Sequence, residues 1–157
     1  MKSILVPVDF SDVTVKTVKA AVYLAKPFQS RITLMHVRWT ELAPELIDFA
    51  AAPNLVPVLD DEELAVVTKK KLADLEELAT AVGLETRTIE LQGPPLEHIL
   101  AQAESERVDL IVIGSHHHGA FYHLFEGGVT EGILRRARCP VLIVPQGESI
   151  PGNDPLV

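Results

Sequence analysis

The chain switches repeatedly between two hydrophobic periods, and this alternation restricts the fold more than any other feature. Short apolar runs at Ser3–Val8, Arg31–Val37, Thr86–Leu91, Val108–Ile113 and Val141–Val144 read as strands. Between them lie stretches whose apolar residues recur at helical spacing. Val15, Val18, Ala21, Val22 and Ala25 form one face, Leu64, Val67, Leu72, Leu75, Ala79 and Val82 a second, and Leu96, Ile99, Leu100 and Ala103 a third. A last helix is expected from Val129 and Thr130 to Arg138. Strand and helix alternating in this way predict an α/β fold: one doubly wound domain with a five-stranded parallel sheet, helices on both faces and right-handed crossovers.

Local signals fix the joints. Ser11 is expected to cap the first helix and Pro27 to end it. Asp60-Asp61-Glu62-Glu63 opens the long second helix, where acidic charge suits the N-terminal dipole. Gly83 suits the left-handed residue after that helix. Gly93-Pro94-Pro95 turns into the third helix, and Arg135-Arg136-Ala137-Arg138 places positive charge at the end of the fourth. Lys69-Lys70-Lys71 is expected on a solvated face. The span from Arg38 to Leu59, broken by Pro44, Pro53 and Pro57, is the least regular, and Trp39 at its start is expected to pack on the sheet edge. Residues 1–146 are expected to form one domain and 147–157 a flexible tail.

Charge and cysteine usage exclude several functions. Lys plus Arg number 14 against 22 Asp plus Glu, a net charge of −8 that argues against general nucleic-acid binding. One cysteine forbids an internal disulfide and suits a reducing, cytoplasmic setting. No apolar run approaches the roughly 20 residues that span a bilayer, and no signal peptide is visible.

The stretch Leu110–Pro145 carries the chemistry. An apolar strand empties into Gly114-Ser115-His116-His117-His118-Gly119, and Gly127-Gly128 then precedes a helix start at Val129-Thr130. Glycine lets backbone N–H groups approach an anion, and a helix start adds unpaired donors with partial positive charge. This stretch resembles the universal stress protein family. Its ATP-binding branch carries G-x2-G-x9-G-[ST] here and ends in Cys-Pro-Val-Leu-Ile-Val, present as Cys139–Val144. The opening Ile4–Ser11 (Ile-Leu-Val-Pro-Val-Asp-Phe-Ser) matches as well. Gly114 and Gly127 stand at the first and third glycines, but His117 replaces the second and Gly128 replaces the Ser or Thr.

The resemblance implies strand order 3-2-1-4-5, with the first and fourth strands side by side at the switch point where open α/β sheets bind ligands. It implies ATP or a related adenine nucleotide, alone or with Mg. Pro7, Val8, Asp9 and Val37 would meet the base; Ile113, Gly114, Ser115, His116 and His117 the ribose and phosphates; Gly127, Gly128, Val129 and Thr130 the phosphates. Asp9 has a second reading, as a cap of the first helix. The resemblance also implies a stress-response sensor or regulator. The alternative is a nucleotide-free dimeric interaction module of the same fold. No catalytic constellation is visible, so any ATP hydrolysis is expected to be slow and incidental. Three consecutive histidines cannot all face one metal, and Cys139 lacks a paired His and Asp, so neither metal nor thiol chemistry is expected. His36 is expected beside the core and His98 exposed on its helix.

A homodimer is expected through Val141, Leu142, Ile143 and Val144. In the family's strand order this uncharged, proline-bracketed strand lies at the sheet edge, a template for pairing with a second copy. Leu142 and Val144 are the side chains expected in the apolar seam.

Overall fold

A computed structural model describes residues 1–39, 61–115 and 128–147. The strands are β1 (Ser3–Pro7), β2 (Arg31–Arg38), β3 (Thr86–Gln92), β4 (Leu110–Ser115) and β5 (Val141–Pro145). The helices are α1 (Thr14–Ala25), α2 (Asp61–Thr80), α3 (Pro95–Ser105) and α4 (Val129–Arg136). All four strand pairings are parallel and the order is β3-β2-β1-β4-β5. The expected fold class and strand order are therefore present.

Strand alternation sorts the core into two layers. Ile4, Val6, Ile32, Leu34 and Val112 point toward α1 and α2, where they meet Val18, Ala21, Leu72, Leu75 and Ala79. Leu5, Met35, Ile111 and Ile113 point the other way, onto Ile99 and Ala103 of α3 and Ile133 of α4. Because β1 lies in the middle, all five of its residues are buried. A strand covered on both faces needs a continuous apolar run, which Ile4-Leu5-Val6-Pro7 supplies.

Three joints share one geometry. Leu84 N–H donates to the Ala79 carbonyl and Gly83 N–H to that of Thr80, closing α2 in a Schellman turn with Gly83 at φ 81°. The same bond pair closes α3, from Val108 to Ala103 and from Arg107 to Glu104, and the end of α1, from Ser30 to Ala25 and from Gln29 to Lys26. There Arg107 (φ 49°) and Gln29 (φ 51°) take the left-handed conformation that glycine takes at Gly83. Only the glycine was expected from the sequence.

Several expectations need correction. Ser11 does not cap α1: the residue before the helix is Val13, with no side-chain cap. In the α2 stripe, Leu64, Val67 and Val82 are exposed, and the buried line runs Thr68, Leu72, Leu75, Ala79. Val15 of α1 is exposed and Val22 only half-buried, while Thr14 and Thr17 are buried in their place. Trp39 is 48% exposed at the end of β2. Val144 is only 6% exposed and belongs to the core beside α1, whereas Leu142 and Ile143 are each 37% exposed at the edge. The side chains available to a seam on β5 are thus Leu142 and Ile143. Residues 148–157, most of the expected tail, lie outside the described residues.

Asp109 fastens β1 to β4. Its carboxylate accepts from the backbone N–H groups of Lys2 and Ser3, and its own N–H donates to the Ser3 carbonyl. The two backbone N–H groups hold its carboxyl below the ordinary carboxylate range. A group shifted this way stabilises the fold above its unfolded pKa and ceases to do so as pH falls through the folded one. Asp109→Asn is expected to flatten the acid side of the stability curve below about pH 4. Melting temperatures of both proteins between pH 3 and 7 check this; parallel acid limbs would contradict it.

Candidate functional site

The site is built where β1 and β4 part. Cα pairing of the two strands ends at Leu5 with Ile111, yet β1 continues to Pro7 and β4 to Ser115. Over the same residues β1 stays paired with β2 (Pro7 with Met35) and β4 with β5 (Ser115 with Pro145). The central sheet therefore opens a crevice at the carboxyl ends of its strands, flanked by the turn after β1 and the end of β4. This is the topological switch point at which open α/β folds hold ligands.

The turn after β1 is tightly organised. Val8 N–H donates to the Met35 carbonyl at 2.8 Å, and His36 Nδ1 lies 2.8 Å from the Val8 carbonyl. Asp9 Oδ1 accepts from Ser11 N–H (3.0 Å), Ser11 Oγ (2.6 Å) and Thr14 Oγ1 (3.2 Å). This is an Asx-type turn that leads into α1. Asp9 thus acts on the entry to the helix through Ser11 and Thr14 side chains rather than as an ordinary cap. Phe10 follows at φ 60°, a conformation that costs a non-glycine residue on the order of 1–3 kcal/mol and persists only when neighbours over-determine it. The neighbours are the His36 ring, with centroid 4.4 Å away, and the Lys71 ammonium, 5.1 Å from the Phe10 ring centre. One turn of β2 pairing further on, Arg38 Nε lies 2.7 Å from Glu90 Oε1 of β3, a mostly buried ion pair without good hydrogen-bond alignment.

The far wall is set by glycine and by the last helix. A Cβ on Gly114 would stand 2.6 Å from Val13 Cγ1 and 2.8 Å from Thr17 Oγ1, so the end of β4 presses directly on α1. Gly128 precedes α4 with extended backbone (φ −53°, ψ 160°), and among the described residues nothing lies within 4 Å of where its Cβ would be. Val129 is half-buried against the α3–α4 layer, and Thr130 is half-buried in the first turn. At Gly132 the helix passes so close to α3 that a Cβ would meet Leu96 Cδ2 at 2.4 Å.

Pro7, Val8 and Asp9, Val37, Ile113, Gly114 and Ser115, and Gly128, Val129 and Thr130 all occupy strand carboxyl ends or the start of α4. Val37 faces the α3–α4 layer, the side opposite His36. His116, His117 and Gly127 lie outside the described residues. Sequence reasoning missed Phe10 and the part played by His36, and it placed His98 at the surface. His98 is half-buried, and its Nε2 sits 3.0 Å from the Gln92 carbonyl at the end of β3. It also missed a clasp. Lys16 Nζ donates to the carbonyls of Pro145 (3.0 Å) and Gly147 (2.8 Å), the Gln146 amide donates to Asp12, and Gln146 N–H donates to the Ser115 carbonyl.

A separate depression of about 560 Å³ lies at the opposite, amino-terminal end of β4 and β5. Arg107, Arg136, Arg138 and Cys139 border it. Burial pushes the Cys139 thiol up, away from a reactive thiolate. Among the described residues no group of three or more His, Cys, Asp or Glu side chains could hold a metal, and no helix is long and apolar enough to cross a membrane.

An open parallel sheet whose first and fourth strands part at the switch point, beside a glycine-tight strand end and a helix start, defines a doubly wound α/β domain. The family model of the universal stress protein family matches residues 1–145, and the chain belongs to that family. It is 33% identical to universal stress protein YxiE of Bacillus subtilis over 146 residues, 89% of this chain and 96% of the relative. Among solved structures, that of protein MJ0577, from Methanocaldococcus jannaschii, superposes with TM-score 0.73 at 27% identity, covering 94% of this chain and 98% of the other. Two more distant structures share the fold. One is a universal stress protein in complex with cAMP (TM-score 0.65, 19% identity, 93% and 98% covered). The other, from Archaeoglobus fulgidus, is in complex with dAMP (0.63, 20%, 91% and 97%).

Proposed function

We propose that this protein binds an adenine nucleotide, ATP or a close relative, in the β1–β4 crevice and acts as a stress-response sensor or regulator in the cytoplasm. The observation that carries the reading is the strained, over-determined turn Val8-Asp9-Phe10 at the mouth of the crevice. Strain held in place by several independent contacts, outside a helix-closing turn and beside a crevice, is of the kind that clusters at ligand sites. Family relatives solved with cAMP and dAMP make adenine the base to test. In this reading Pro7, Val8, Asp9 and Val37 contact the base. Ile113, Gly114, Ser115, His116 and His117 line the sugar and first phosphate, and Gly127, Gly128, Val129 and Thr130 offer N–H groups to the phosphates. Mg would accompany the triphosphate. Because the Asp9 carboxylate is engaged by Ser11 and Thr14, its backbone is the natural contact for the base edge.

The nucleotide content of freshly purified, denatured protein, followed by calorimetric titration with ATP and adenosine, tests the reading. Asp9→Ala is expected to weaken both ligands by a similar factor, since it acts at the base end; a loss confined to ATP contradicts that placement. Its melting temperature is measured in parallel, because the turn it organises leads into α1.

One observation favours a second reading. Gly114 is required by packing against α1, so its presence does not by itself call for a phosphate, and Gly128 has no hydroxyl. Protein that purifies clean and binds neither ATP nor adenosine would support a nucleotide-free interaction module. In both readings we propose a homodimer through β5, which among the described residues pairs with β4 alone and presents Leu142 and Ile143 at an uncharged edge.

A further inference from the structure

We propose that His36 is the positioning residue of the base-binding turn: its ring locks Val8-Asp9-Phe10 into the conformation that receives the ligand. This rests on the nucleotide reading above and assigns the source of its preorganisation. The lock has two parts on one side chain. The first is the bond to the Val8 carbonyl. A carbonyl can only accept, so Nδ1 must carry the proton, and it does so in both the neutral Nδ1–H tautomer and the imidazolium. With Val8 N–H already given to the Met35 carbonyl, both polar groups of Val8 are held by consecutive residues of β2. The residue immediately before Asp9 therefore has no freedom to rotate its peptide planes.

The second part is the ring contact. The His36 and Phe10 rings lie 4.4 Å apart at an interplanar angle of 38°. At φ 60° Phe10 carries backbone strain, and the ring contact adds to the Asp9–Ser11 bond that spans it in holding that conformation. Lys71 of α2, 5.1 Å from the Phe10 ring centre, adds a weaker cation–π contact. Asp9 lies between the two fixed residues, and its own carboxylate is tied forward to Ser11 and Thr14. A turn fixed before the ligand arrives does not have to be ordered at binding, and affinity rises accordingly. His36 itself faces the α1–α2 layer, away from Val37, so it works through the turn rather than by touching the base.

Four proteins test this: wild type, His36→Ala, His36→Asn and Phe10→Leu. Each is titrated with adenosine, ATP and inorganic triphosphate, and backbone amide exchange is followed across residues 8–12. In His36→Ala the dissociation constants for adenosine and ATP should rise by the same factor, about fivefold to thirtyfold, from loss of one hydrogen bond and one ring contact. Triphosphate binding should not change. Asparagine keeps a donor near the Nδ1 position without the ring, so His36→Asn should recover most of the affinity while remaining less heat-stable than wild type. Phe10→Leu should weaken adenosine less than His36→Ala does.

A purely structural histidine would give Ala and Asn variants with lowered melting temperatures and wild-type affinities, and that result overturns the proposal. Equal weakening of adenosine and triphosphate also overturns it. Wild-type protein that binds no adenine compound overturns the nucleotide reading instead. Exchange then decides the lock on its own: faster exchange at Phe10 and Ser11 in His36→Ala upholds it, and unchanged exchange removes it.

Discussion

Gly114→Ala is expected to destabilise the protein by about 2–3 kcal/mol, the upper part of the range for overpacking a well-filled interior. The new methyl would stand 2.6 Å from Val13 Cγ1 and 2.8 Å from Thr17 Oγ1, and neither neighbour can step aside. Val13 is buried and β-branched, with a restricted χ1. Thr17 is 1% exposed, and its hydroxyl donates back to the Val13 carbonyl at 2.9 Å. The first turn of α1 would have to lift from β4. For a chain of this size the melting temperature should fall by roughly 5–10 °C. Gly147→Ala, where nothing among the described residues lies within 4 Å, serves as the control and should stay within about 0.5 kcal/mol of wild type. If Gly114→Ala melts like wild type and loses only nucleotide, the glycine is there for the ligand and the packing account is wrong.

Substituting lysine for Leu142 and Ile143 together is expected to convert a dimer into a monomer. Both side chains stand at the open edge of the sheet, and charge placed in a self-complementary apolar seam meets its own copy across the twofold axis. Val144 is left alone, because a lysine in that core position would unfold the end of the sheet and mimic dissociation. Light scattering at tens of micromolar gives the mass, and circular dichroism confirms that the fold is kept. A wild-type monomer, or a dimer indifferent to both lysines, removes β5 as the interface.

The sheet could be read from the sequence because buried parallel strands must be apolar throughout and their helices must be striped. What could not be read followed from three-dimensional extent. A helical stripe gives a direction but not the length over which a partner is present. Twenty residues make α2 about 30 Å long against about 23 Å for the seven-residue β3; Leu64, a turn before Thr68, is exposed, and so is Val67, which lies about 100° round the helix from the buried line. Thr68 took a core position on the same line, and a hydrophobic pattern does not count threonine. Val144 shows the same limit in a strand, since alternation distinguishes two faces without saying which is covered.

In the crevice, the loop glycines and strand ends were visible as motifs, and the structure brings their described members to one end of the sheet. Gly114 was read as room for an anion, whereas its tightest neighbour is the protein's own first helix. Phe10 and His36 gave almost no warning. A phenylalanine at φ 60° follows no propensity, and the histidine that supports it comes from a different strand, 26 residues on. Contacts of that kind exist only after the chain has folded.

The central position of β1 has a consequence for synthesis. Ile4 leaves the ribosome 106 residues ahead of its second neighbour, Leu110. At about 5–20 residues per second, that is a wait of roughly 5–20 s. During it, the β1–α1–β2 unit can form and still offers one side of Ser-Ile-Leu-Val-Pro as an unpaired, uncharged edge. Such an edge is open to pairing with other nascent chains. Pro7, which lacks an N–H, shortens the usable template. Asp109, emerging one residue ahead of Leu110, brings the carboxylate that receives Lys2 and Ser3. The residue that fastens the sheet thus arrives just before the strand that ends the exposure.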